Sequence, residues 1–127
     1  MSSLKAIQTA KAPAPGGAYS QGIQAGSIVF TAGLGPIDPE TGGVVGETVE
    51  EQTRQVMLNL KAILEEAGLG LNRVIKTTVH LQNLEQDFAG FNEIYESFFE
   101  PPYPVRTTVG STLKGILVEI DMVALAE

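Results

Sequence analysis

The chain has 127 residues, no cysteine, one histidine and a formal net charge of −7, from eight Lys and Arg against fifteen Asp and Glu. These totals exclude disulfides, thiolate nucleophiles and Cys-ligated metals, and the lone His80 excludes a multi-histidine metal site within one chain. The basic residues stand singly instead of forming the patch or stripe of a nucleic-acid binder, so no nucleic acid is expected as the main partner.

The length predicts a single domain over residues 1–127. Folding at this size buries roughly two-thirds of the unfolded chain's surface, enough for a proper core. No apolar run approaches the ~20 residues that a membrane span needs. The stretch MSSLKAIQTAKAPAPGG lacks the continuous apolar segment of an export signal, so a cytoplasmic location is expected.

In chain order, LKAIQT is a candidate first strand and KAPAPGG reads as a loop. AYSQGIQ and SIVFTAG read as two short strands joined in a hairpin at Ala25-Gly26-Ser27. PIDPETGG, with two prolines and two glycines, is a turn-rich loop. Thr48, with Glu51 three residues on, forms a capping-box signature that opens a helix. Its apolar face is Val49, Val56, Leu60, Ile63, Leu64 and Ala67, and Gly68 is placed to stop it. RVIKTTVHL alternates, with Ile75, Thr77, Val79 and Leu81 on one face. NLEQDFAGFNEIYESFF returns to helical spacing, with Asp87 as candidate N-cap and a stripe of Phe88, Phe91, Tyr95 and Phe98. PPYP ends that helix, because proline disfavours helical geometry in the residue before it. VRTTVGS and ILVEIDMVALA are the last two strands. Two helices cover only one face of such a sheet. ILVEIDMVALA is apolar on both sides, which favours burial of the other face by oligomerisation.

Two charges stand out in the strands. Alternation puts Arg106 and Thr108 on one face of their strand and Val105, Thr107 and Val109 on the other. Arg106 is either a solvated edge charge or a bidentate fork for a small carboxylate. Glu119 lies among Leu117, Val118, Ile120 and Met122. It is either an edge charge that discourages aggregation or a general base tuned by apolar surroundings. Asp121 shares its face. Tyr19, after two glycines, reads as an ordinary tyrosine at a strand start or one beside a close approach. Asn92 sits mid-helix, pointing by default to solvent and otherwise to a cavity beside Phe88. Gly33 marks a strand end, a bulge or a close backbone contact. His80 falls on the polar face of its strand, as a solvated or interface residue.

Together AYSQG, TAGLGPIDPETG, VIKTTVHLQNLEQDFAGFNEIYESFF and PPYPVRTTV with VEIDMVA resemble the reactive intermediate deaminase family (RidA, also called YjgF-like), in order and over nearly the whole chain. The resemblance implies an α+β fold, chorismate-mutase-like, with a single mixed β-sheet and two helices packed on one face. It implies a homotrimer with clefts at the subunit interfaces and no metal or organic cofactor. The implied activity is hydrolysis of 2-imino acids, such as 2-iminopropanoate and 2-iminobutanoate, to 2-oxo acids and ammonia. By the same resemblance Arg106 binds the substrate carboxylate, Glu119 activates water, and Tyr19 positions ligand or water. Asn92, Phe88, Gly33 and the backbone of Thr108 line the cleft. Two departures stand out. Thr108 occupies a position where many members have cysteine, and GSTLKGIL is shorter than the usual proline-containing loop before VEI. Relatives are also described as RNA-cleaving translation inhibitors, and a small-molecule-binding or holdase trimer without turnover is the third reading.

Overall fold

A computed structural model describes residues 4–127. The strands are β1 (Leu4–Ile7), β2 (Gly22–Ala25), β3 (Ile28–Thr31), β4 (Val74–Leu81), β5 (Val105–Gly110) and β6 (Val118–Leu125), and the helices are α1 (Val49–Glu66) and α2 (Leu84–Ser97). They form one six-stranded sheet in the order β1-β2-β3-β6-β4-β5. Every pairing is antiparallel except β4 with β5, which are parallel and joined through α2. A parallel neighbour needs such a crossover, because a tight turn cannot return the chain in the same direction.

Local chemistry sets the element ends. β2 and β3 meet at Ala25 and Ile28, leaving Gly26 and Ser27 as a two-residue turn, with Gly26 at φ +60. A primed hairpin turn needs that positive φ at its first central position. Thr48 and Glu51 complete the expected capping box. At the other end of α1, Gly68 at φ +80 donates to Glu65 O and Leu69 donates to Leu64 O. This is the Schellman pattern, which satisfies carbonyls the helix itself leaves unpaired.

The core lies between the sheet and the two helices. Val56, Met57, Leu60, Ile63 and Leu64 of α1 meet Val118, Ile120, Met122 and Ala124 of β6 and Val79 and Leu81 of β4, all essentially buried. Each such side chain contributes roughly 1.5–3 kcal/mol through burial. The buried face of α1 also carries two amides. Gln52 accepts from Leu117 N (2.8 Å) and donates to Gly46 O (3.1 Å). Asn59 donates to Gly35 O (3.1 Å) and Ile37 O (2.9 Å).

The opposite sheet face has no helix. It mixes Phe30, Val105, Val109 and Val123 with Lys76, His80, Glu119 and Asp121, and Phe30 and Val105 are 47% and 66% exposed.

Three expectations change. Ile75 does not share a face with Thr77: a register irregularity between Val74 and Lys76 turns it outward, 45% exposed. An extra residue in a strand reverses the alternation beyond it. Asp87 is not the N-cap of α2. Asn83 holds that position and Leu84 packs against the core, so the helix starts about a turn earlier, and the Asp87 amide donates to Asn83 O (2.9 Å). Tyr19 lies outside the strand that follows it, because β2 begins only at Gly22.

Candidate active site

Arg106 is on the helix-bearing face. It registers with Thr77 of β4, which is buried under α2 and whose hydroxyl bonds Tyr95 (2.8 Å). The guanidinium carbon lies 5.7, 5.4 and 4.9 Å from the ring centroids of Phe88, Phe91 and Tyr95. These distances fit attraction between a cation and aromatic faces. One amine nitrogen donates to Asn92 Oδ1 at 2.8 Å. Asn92 therefore does not point to solvent; its half-buried amide orients the arginine. Arginine carries five donors, and Asn92 is the one side-chain acceptor it meets among the described residues. Arg106 also lines a cavity of about 310 Å³, together with Asn92, Tyr95, Glu96, Tyr103 and Pro104. Burial raises the proton affinity of the Tyr95 phenol, while its bond to Thr77 and the Arg106 charge oppose this. Tyr95 therefore stays neutral beside the guanidinium. Thr108 points to the same face as Arg106, beside Val79.

Glu119 is on the other face. The neighbours before and after it, Val118 and Ile120, enter the core, so its own side chain leaves the sheet on the helix-free side. Its carboxylate lies over Gly33, which follows β3. A Cβ built on Gly33 would stand 2.6 Å from Glu119 Oε2, so no other residue fits there unless the carboxylate moves. Gly33 also borders a cavity of about 480 Å³ that reaches Tyr19, Gln21 and the 36–42 loop. The Tyr19 hydroxyl accepts from Gly16 N (2.9 Å), leaving its proton to donate. Asn59 and Gln52 pin the segments on either side of this region from behind. Beside Glu119, burial raises the proton affinity of Asp121, offset in part by His80 and then Lys76. His80 is half-buried and its Nδ1 lies 2.7 Å from Ser111 Oγ.

The predicted residues thus fall into two groups. Arg106, Asn92, Phe88 and Thr108 belong to one, Glu119, Gly33 and Tyr19 to the other. In the sheet ladder Glu119 faces His80, and His80 faces Val109, three residues beyond Arg106. With strands about 4.8 Å apart and a rise of about 3.3 Å per residue, the Cα atoms of Arg106 and Glu119 are roughly 14 Å apart. Their side chains leave on opposite faces, so one small molecule cannot touch both within a chain. Alternation in β5 and β6 was legible in the sequence, but which face of each strand the helices cover was not. Tyr95 and Glu96 were not singled out as site residues. Their offsets of three and four from Asn92, which put them beside it on one helix face, were the available signal.

The fold and these half-sites define a small α+β protein that offers an arginine on one side of a mixed sheet and a carboxylate on the other. The chain belongs to the endoribonuclease L-PSP family, which includes the RidA proteins; the family model matches residues 9–126. A RutC family protein of Pyrococcus abyssi is 48% identical over 123 residues, covering 95% of this chain and 96% of that one. The 2-iminobutanoate/2-iminopropanoate deaminase of Salmonella typhimurium is 43% identical over 126 residues, covering 95% and 97%. The crystal structure of RidA from an Antarctic Psychrobacter superposes with a TM-score of 0.91 at 41% identity, covering 95% of this chain and 98% of that one. The single mixed sheet with two helices on one face is therefore the family's fold, as the sequence resemblance implied. No described helix is long and apolar enough to cross a membrane.

Proposed function

We propose that the protein is a hydrolytic deaminase of 2-imino acids, acting at clefts between the chains of a homotrimer. Arg106, held by Asn92 and three aromatic rings with donors to spare, carries this reading. A guanidinium fixed in this way presents a ready fork to a planar carboxylate. The separation of Arg106 from Glu119 supports assembly: one chain supplies the arginine from its edge strand and the next supplies the glutamate from its partly apolar open face. Exposed apolar surface of that kind marks association.

The step needs little machinery. Arg106 fixes the substrate carboxylate and so aims the imine carbon at a water held by Glu119 of the adjoining chain. Glu119 takes one proton as the water oxygen bonds to the carbon of the protonated imine, giving a carbinolamine. The carboxyl group returns that proton to nitrogen, the Glu119 carboxylate then takes the hydroxyl proton as the C–N bond breaks, and the products are a 2-oxo acid and ammonia, the proton the imine brought passing on to solvent. One water is consumed and no redox change occurs. An RNA-cleaving role is a poorer fit to a net charge of −7.

The test couples purified protein to a dehydratase that releases 2-iminobutanoate and follows loss of the imine. Wild type should accelerate hydrolysis. Arg106→Ala, Arg106→Lys and Glu119→Gln should each lose about 100-fold or more. Wild-type rates in Arg106→Ala would overturn the reading.

A further inference from the structure

We propose that Glu96 and Tyr103 select the substrate side chain, favouring 2-imino acids with a cationic side chain and rejecting dicarboxylic ones. This rests on the deaminase reading of the Arg106 site. The cavity beside Arg106, about 310 Å³, is far larger than a two-carbon side chain requires, and Glu96, Tyr103 and Pro104 share its lining. Glu96 follows Asn92 by four residues on α2, so the two project on the same side of the helix. One helical turn advances about 5.4 Å along the axis. A substrate whose carboxylate sits at Arg106 and Asn92 thus has a second carboxylate facing it, Glu96, one turn further along. That spacing suits a flexible side chain ending in a guanidinium or ammonium group. Tyr103, 50% exposed, adds an aromatic ring to the same lining, where a cation would find a favourable partner. Among the described residues no cation pairs with Glu96, so its charge is available to a ligand. The chain's net charge of −7 acts in the same direction, repelling a dianionic substrate on approach. Arg106 selects for the α-carboxylate, and Glu96 selects against a second one.

The experiment generates imines in place with an amino-acid oxidase and catalase, from arginine, norleucine and glutamate. It measures kcat/KM for each by competition with semicarbazide trapping. Wild type should prefer the arginine-derived imine to the glutamate-derived one by about tenfold. Glu96→Gln should reduce that ratio about fivefold, the size of one partly exposed charge interaction, and Glu96→Lys should invert it. Equal rates for the arginine- and glutamate-derived imines in wild type, or a ratio unmoved in Glu96→Gln, would overturn the selection while leaving the deaminase reading intact. The norleucine-derived imine separates the two: if wild type fails to hydrolyse even that neutral substrate, both fall together.

Discussion

The two half-sites differ in how they are built. Arg106 is embedded: three rings, an amide and a strand edge hold it inside one chain. Glu119 is bare: its carboxylate rests on Gly33 at the open face, and among the described residues no group hydrogen-bonds it. A cation that must clamp a planar carboxylate gains from preorganisation. A carboxylate that must hold water and exchange a proton with it gains from unfilled bonding sites. Embedding the first and baring the second gives each group the surroundings that the proposed mechanism would require of it. It also means that a chain alone holds neither half next to its complement.

The largest effect should come from mixing. Arg106→Ala and Glu119→Gln are each expected to be inactive alone. Co-expressed, they should recover activity, because a random trimer would carry both wild-type groups at about a quarter of its clefts. No recovery in mixed assemblies verified by mass would refute the division of the site between chains. A smaller loss is expected for Gly33→Ala. The new methyl group displaces the Glu119 carboxylate by the better part of an ångström, and such a shift can lower turnover by about 100-fold with sedimentation and circular dichroism unchanged. Wild-type turnover in that variant would show that the contact with Gly33 does not position the glutamate.

The smallest effect concerns α2 alone. Asp87 is buried with Oδ2 unpartnered, and its proton affinity is raised, first by that burial and then by Glu50. An acid with a raised folded-state value favours the folded protein when protonated. Its cost is absent at low pH, grows as pH climbs from the ordinary aspartate range through the folded value, and is complete above it. Asp87→Asn should therefore stabilise the fold by about 1 kcal/mol at pH 7 and by nothing measurable near pH 3, as read by denaturant melts. A destabilised variant at pH 7 would mean that the carboxylate has a partner in the assembled protein, and would tie α2 more closely to its neighbours.

Local features were the most legible in the sequence. The Thr48 and Glu51 capping box, the Gly68 stop and the Gly26 turn each depend on residues within a few positions, and all three formed. The turned-out Ile75 was not legible, because a bulge depends on how the partner strand pairs and β4 read alone keeps perfect alternation. The start of α2 was misplaced for a similar reason: Asp87 is the better capping residue, but the core requires Leu84 inside the helix. At the site, Arg106 and Thr108 were assigned to one face correctly. That this face lies under α2 while Glu119 faces away is a property of chain packing, which strand period does not encode.

Gln52 and Asn59 interrupt the apolar stripe of α1 seven residues apart, and their amides grip Gly46, Leu117, Gly35 and Ile37. The loops flanking the glutamate are thus tied to a buried helix. The Leu117 amide, the one backbone N–H these two side chains hold, should exchange hydrogen with solvent far more slowly than that of an ordinary surface turn. Under the proposed mechanism, water held at Glu119 would meet walls anchored to the core through these amides.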